Sequence, residues 1–312
     1  MVSCQNLLAR PSVGTVPGIF TWAVRWYFPD SSLMTHAKVT ENHYIGAFCI
    51  ESQYMKSLRI GTAGWSIPKQ FAATLPHGTH LVRYSQILNC AEINSSFYRS
   101  HRLSTWERWA NSVPDGFRFS VKAPKTITHE AKLACTQAQL QTFLTEANAL
   151  GGKLGTILFQ LPPSSLFNPT IARTFFTMLR DLYSGNTVIE PRHATWFTPE
   201  VDDLLQRFRI ARVAADPARV PQAGRAAGWG ELIYCRLHGS PRIYYSSYPA
   251  TYLRSLAATI AAHPAKEIWC IFDNTASGAA FGDAKSLKHL LAAEPSIYFP
   301  VSYRSLPAPA AP

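Results

Sequence analysis

The chain has 312 residues, with 30 Lys plus Arg against 19 Asp plus Glu (a formal net charge of +11) and a 47% hydrophobic content. This composition excludes an acidic disordered chain, and the length suits two ordinary domains or one barrel-sized domain. No apolar run of about 18 residues marks a membrane span, and the positive balance points to an anionic metabolite, to nucleic acid, or simply to a basic surface.

From the N-terminus, residues 1–56 hold no sustained period, and Pro11, Gly14, Pro17, Gly18 and Pro29 interrupt the first half. The apolar stretch 16–24 contains Pro17 and is followed by Arg25 with no small-residue cleavage pattern, which makes a poor export signal. Residues 1–56 are therefore expected to be an N-terminal extension, poorly ordered or dispensable, and a truncation starting at Met55 is expected to be stable. Short β-rich runs then follow at 58–62, 90–94, 117–122, 154–160, 187–190, 210–214, 232–237 and 267–272. Helical spacing of apolar residues appears at 105–112, 137–150, 169–182, 199–208, 248–262 and 283–293. Pro169 and Pro199 suit first-turn positions, with Asn168 and Thr198 as caps. Alternating strands and helices predict a parallel sheet, and eight such units predict an α/β fold with a single (β/α)8 TIM barrel over 57–305. An open doubly wound sheet is the alternative, but no Gly-x-Gly-x-x-Gly or phosphate-loop motif is found, and no cofactor is assigned.

The connection 216–230 breaks the alternation, with prolines, glycines and no period, and reads as a lid or a mobile loop. Residues 306–312 are an Ala/Pro tail. The cysteines at 4, 49, 90, 135, 235 and 270 form no Cys-x-x-Cys pair. They read as reduced thiols of a cytoplasmic protein, with Cys235 and Cys270 as core filling.

In a barrel of this kind the chemistry collects at the carboxyl ends of the strands. Those ends carry Trp65, Glu92, Asn94, Tyr98, Lys122, Gln160, Glu190, Arg192, His193, Trp196, Arg236, His238, Asp273 and Asn274. Strand side chains alternate faces, so Glu92 shares a face with Asn94, Ser120 with Lys122, Glu190 with Arg192, and Arg236 with His238. An ionised group against an apolar helix layer is expensive, so the inward mouth is the cheaper place for these pairs. Glu92, Glu190, His238 and Asp273 are the candidate catalytic groups, and the remaining residues named are candidates for binding substrate. The plainer readings are a structural Glu–Arg ion pair, a solvent-facing His193, and aromatic residues that pack in the core or at the rim.

Several segments resemble a known family. Gly-Thr-Ala-Gly-Trp-Ser (61–66), Glu-Ile-Asn-Ser-Ser-Phe-Tyr-Arg (92–99) and Phe-Ser-Val-Lys-Ala-Pro-Lys-Thr-Ile-Thr-His (119–129) are similar to the YecE-like proteins, the domain of unknown function 72. So are Phe-Gln-Leu-Pro-Pro-Ser (159–164), Arg-His-Ala-Thr-Trp (192–196), Arg-Leu-His-Gly (236–239) and Phe-Asp-Asn-Thr-Ala-Ser-Gly-Ala-Ala (272–280). The resemblance implies a TIM barrel and supplies no established reaction. One departure is Pro191, where the family more often has an aromatic or aliphatic residue. Proline lacks a backbone N–H, so the fifth strand is expected to end at Glu190.

Three functions compete on these residues. The first is an enzyme acting on a small anionic or phosphorylated substrate, held by Lys122, Arg192 and Arg236. Glu190 or Asp273 would serve it as general base and His238 as general acid. The second is nucleic-acid binding or processing, supported by the charge and by Arg219, Arg225 and Trp229 in the irregular connection. The third is metal-assisted hydrolysis through Glu92, Glu190, Asp216, His238 and Asp273. Three cations in the same mouth oppose it, and no metal ligands are assigned.

Overall fold

The computed structural model describes residues 56–73 and 77–293. The expectations for residues 1–55, and for the tail at 306–312, lie outside the described residues. Strand β1 (Ser57–Ala63) is followed by short helices α1 (Lys69–Ala72) and α2 (His80–Ser85), then by β2 (Cys90–Ile93). Next come α3 (Ser95–Tyr98), α4 (Leu103–Asn111), β3 (Arg118–Lys122), a π-turn (Thr126–Glu130) and α5 (Gln137–Asn148). Then β4 (Leu154–Gln160), α6 (Pro169–Leu182), β5 (Thr187–Glu190) and α7 (Pro199–Arg207) follow in strict alternation. The chain continues through β6 (Ile210–Arg212), β7 (Ala214–Asp216) and β8 (Ala227–Gly228). It ends with β9 (Leu232–Leu237), α8 (Ala250–Ala262), β10 (Glu267–Phe272) and α9 (Ala279–Ala293).

The sheet order is β7-β9-β10-β1-β2-β3-β4-β5-β6-β8, parallel throughout except for the antiparallel β6–β8 pair. β6 and β7 occupy one barrel position, split at Val213. β6 pairs with β5 and β7 pairs with β9. Eight strand positions thus form a nearly closed, TIM-like barrel, as the alternation predicted. Two cores confirm it. Leu158, Val188, Tyr234, Trp269 and Ile271 pack inside the barrel, while a larger cluster including Phe119, Phe159, Phe175 and Leu179 fills the layer between strands and helices.

The caps expected at Asn168 and Thr198 form, and a capping box not read from the sequence stands on α5. Asn168 Oδ1 accepts from the Thr170 and Ile171 amides, the Thr198 hydroxyl accepts from Val201, and Thr136 with Gln139 forms the box. α2, α3 and the π-turn are too short to show a period, and the sequence reading did not place them. The sixth barrel unit has no helix. Its 216–230 connection is not structureless. It carries a 3₁₀ turn (Pro221–Gly224) with Ala223 buried, Arg212 donates to the Gln222 carbonyl at 3.2 Å, and β8 pairs with β6. Two prolines in this segment block helical continuation, and the backbone finds its partners in a turn and an edge strand instead. The described cysteines, Cys90, Cys135, Cys235 and Cys270, are unbonded thiols, and Cys90, Cys235 and Cys270 are buried. Among the described residues no helix is long and apolar enough to cross a membrane.

Candidate active site at the barrel mouth

The inward face of the strands changes character along its length. Below, Tyr234 stacks on Trp269 with ring centres 5.9 Å apart. Two residues further along the same strand stands Arg236, with no exposed surface. Its guanidinium grips Glu92 bidentately, Nε to Oε2 at 3.0 Å and Nη2 to Oε1 at 2.7 Å. It also donates from Nη1 to Glu190 at 2.7 Å and from Nη2 to Asp273 at 3.1 Å. The Tyr234 hydroxyl lies 2.8 Å from both Glu92 Oε2 and Ser120 Oγ. One fork-shaped cation is thus shared among three carboxylates, an arrangement for which arginine is suited.

Above this layer, Glu190 accepts from the Gln160 amide at 3.0 Å on both oxygens. Arg192 Nε and Nη2 both reach Glu190 Oε1 at 2.9 Å. β5 ends at Glu190, as Pro191 predicted, and Arg192 still turns back onto the acid two residues before it. His238 Nδ1 lies 3.0 Å from Asp273 Oδ2, and its Nε2 is 3.4 Å from Glu190 Oε1 without hydrogen-bond geometry.

The titrations follow from these contacts. Burial opposes charge on Glu190, but Arg236, Arg192 and His238 outweigh it and hold the carboxyl well below its ordinary range. Asp273 is lowered in the same way, burial being overcome by Arg236 and His238. Burial alone would lower His238. Its hydrogen bond to Asp273, together with the charge of the nearby Glu190, raises it instead, which favours the imidazolium. Lys122 is the exception. Burial, reinforced by Arg236, lowers its ammonium to about 8 against the pull of Glu92, Glu190 and Asp273.

A cavity of about 260 Å³ opens beside His238, walled by Glu190, Arg192, Pro217, Arg219, Ile243 and Tyr244 among others. Tyr244 has φ 70°, a left-handed conformation that is unusual for a bulky residue, and its ring stands edge-on to His238 at 5.9 Å between centres. The 216–230 connection thus supplies a wall of this cavity through Pro217, Arg219 and Ala223.

The structure brings Glu92, Glu190, Arg192, Gln160, Arg236, His238 and Asp273 into one network, with Lys122 beside it. Other residues expected at the mouth are held by different partners. Trp196 is a correction. Its ring is buried, packs on Phe167 at 4.9 Å, and donates from Nε1 to the Ser165 carbonyl, because the turn Ala194–Trp196 folds it back into the core. Asn274 is buried and ties Ser246 and Asp283 together through Nδ2, at 2.9 and 2.7 Å. Trp65 packs edge-on against Trp109 and Phe119. His193 caps its own turn by accepting from the Thr195 amide, and Tyr98 is 73% exposed. Asn94 precedes α3 with its Oδ1 buried and unpartnered. Asp216 accepts from the Tyr248 hydroxyl at 2.9 Å, and among the described residues no three of His, Cys, Asp and Glu converge as metal ligands. The sequence reading gave no role to Tyr234. It shares a face with Arg236 and could have been found by extending the same alternation one step back.

The fold and this charged mouth define a TIM-like barrel of the kind whose site lies at the strand C-termini. The chain belongs to the family described as "Protein of unknown function DUF72", which it matches over residues 59–309. It is 32% identical over 150 residues to the UPF0759 protein YecE of Escherichia coli K12, a match covering 47% of this chain and 53% of that protein. The chain thus spans about half the length of the curated relatives it matches. Two solved DUF72 structures share the fold. The one from Enterococcus faecalis has TM-score 0.63 and 20% identity, covering 82% of this chain and 100% of its own. The one from Thermotoga maritima has TM-score 0.63 and 22% identity, covering 76% and 99% respectively.

Proposed function

We propose that the protein is an enzyme that moves protons on a small anionic substrate at the barrel mouth. The observation that carries this reading is His238, bridging toward two carboxylates on the wall of a cavity that also presents Arg192 and Arg219. Arg192 and Arg219 would hold the anion, and Tyr244 would cover it. His238, favoured as imidazolium between Asp273 and Glu190, would donate the proton. Glu190 and Asp273 are stabilised as carboxylates, so they suit orienting His238 and balancing its charge better than donating protons themselves. Glu92 lies fully buried under Arg236, which supports a positioning role for it.

Calorimetric titration with inorganic phosphate and with oxalate tests the reading. Arg219 is exposed and makes no ion pair among the described residues, so Arg219→Gln should leave the fold intact and weaken anion binding roughly tenfold. Unchanged affinity would count against it.

A second reading is favoured by the rim. Tyr98, Tyr244 and Tyr245 are exposed, and Arg242 sits 3.9 Å over the Tyr245 ring. Exposed aromatic faces beside cations suit stacking on single-stranded nucleic acid. Retardation of single-stranded DNA or RNA that weakens steeply with salt would support that reading, and no retardation at low salt would remove it.

A further inference from the structure

We propose that Lys122 is an amine nucleophile that condenses with the carbonyl carbon of a small oxo compound bearing an anionic group, so that the mouth works through a covalent imine. The proposal rests on the reading of the mouth as an anion-binding active site and names its substrate class.

Lys122 ends β3 and is buried. Its Nζ stands 4.4 Å from the centre of the Phe97 ring. Among the described residues it makes no ion pair within 4.0 Å and no hydrogen bond through Nζ, although Glu92, Glu190 and Asp273 all act on it through space. Those acids are committed elsewhere, to Arg236, Arg192, Gln160 and His238. A lysine kept to balance buried charge would take one of these carboxylates. Here the arginine takes them, and the amine is left without a carboxylate partner.

Burial and the neighbouring Arg236 then favour the free amine, with the ammonium titrating at about 8. Near pH 7 about a tenth of the molecules would hold a free amine, against well under a hundredth for an ordinary lysine. An anion-holding lysine gains nothing from that shift, whereas a nucleophile requires it.

The step balances without a further reactant. The deprotonated Nζ lone pair forms the C–N bond, and the carbonyl C–O bond breaks. Two of the three protons of the starting ammonium leave with that oxygen as water, and the product is a protonated imine. Its positive nitrogen draws electrons from the adjacent carbon, so that the proton there can pass to the neutral form of His238, leaving a neutral enamine, and the imidazolium so formed can return it. Arg192 and Arg219 would hold the anionic group, as in a short 2-oxo acid or a phosphorylated hydroxyketone.

The test uses the full chain near neutral pH with pyruvate, dihydroxyacetone phosphate and acetone as separate probes. Each is trapped with sodium cyanoborohydride and read by intact mass and peptide mapping. The internal reference is Lys125, which is exposed and paired with Glu130 at 3.2 Å. The expected result is one adduct per chain, on Lys122, exceeding Lys125 by at least ~10-fold as the larger free-amine fraction requires. It should arise from an anionic probe and be absent in Lys122→Arg. Equal labelling of the two lysines by every probe would overturn the proposal, and mapping the unaltered chain keeps that result readable whether or not the variant folds. Selective labelling by acetone as strong as by the anionic probes would keep the nucleophile and overturn the anion site. Selective labelling by pyruvate that Arg219→Gln weakens would support both.

Discussion

With its guanidinium fully buried and shared among Glu92, Glu190 and Asp273, Arg236 governs how those acids are charged and where they point. Removing one partner of such a group leaves uncompensated buried charge, whereas removing two together leaves less. Arg236→Met should therefore lose about 3–5 kcal/mol of stability, and Glu92→Gln combined with Arg236→Met should lose less than the single change. Urea unfolding of the three proteins checks this, and a single variant as stable as the parent would show that the network carries little. The sequence placed these side chains on the inward face by alternation, but it could not choose their partners. Trp196 and Asn274 show the limit. Each follows a strand end, yet a local turn turns one into the core and a neighbouring acid captures the other.

At the scale of elements, two glycines set how closely strands and loops approach the mouth. A side chain at Gly61 in β1 would clash with the Cys90 carbonyl of β2, so Gly61→Ala must part the two strands. Overpacking of this kind costs roughly 1–3 kcal/mol or more, and β1–β2 separation would displace Glu92, which ends their register opposite Ala63. A denaturation midpoint unchanged by Gly61→Ala would contradict that packing. Gly239 has φ 92°, turning the chain directly after His238, and its amide donates to the Tyr248 hydroxyl at 2.9 Å. The long elements were legible because each repeats a period several times. α2, α3 and the split between β6 and β7 were not, because a four- to six-residue helix shows no period and a change of strand partner leaves no local mark.

For the whole molecule, the charges at the mouth couple stability to pH in two directions. Glu190 and Asp273 titrate lower in the folded chain than in the unfolded one. Their contribution is complete above the ordinary carboxylate range near pH 4 and is lost as pH falls below it. Asp216 and Asp283, raised by burial, work in the opposite sense and reduce the loss. His238 titrates higher when folded, so its contribution is complete below about pH 6.5 and is lost as pH rises through its folded value. Lys122, lowered to about 8 by burial, opposes the folded chain at lower pH, and that penalty is relieved as pH rises from about 8 toward the ordinary lysine range. Urea midpoints across pH should therefore decline as pH rises above about 6.5, and His238→Asn should abolish that decline. Superimposable profiles for the two proteins would exclude a raised His238.

The sequence by itself determined the eight strand positions, the inward alternation of charged residues and the family, because each is written in local order along the chain. Only the tertiary structure decided that Arg236 collects acids from three other strands and that Lys122 collects none. Arg236 and Glu92 are separated by 144 positions in sequence. They meet because the sheet curves until β9 faces β2, and alternation along one strand says nothing about what stands across the barrel. The net charge of +11 was equally consistent with an anionic partner and with a plainly basic surface. Closing the barrel cancels most of the mouth's charge internally and leaves Arg219 on the cavity wall and, at the end of β3, an amine with no carboxylate partner.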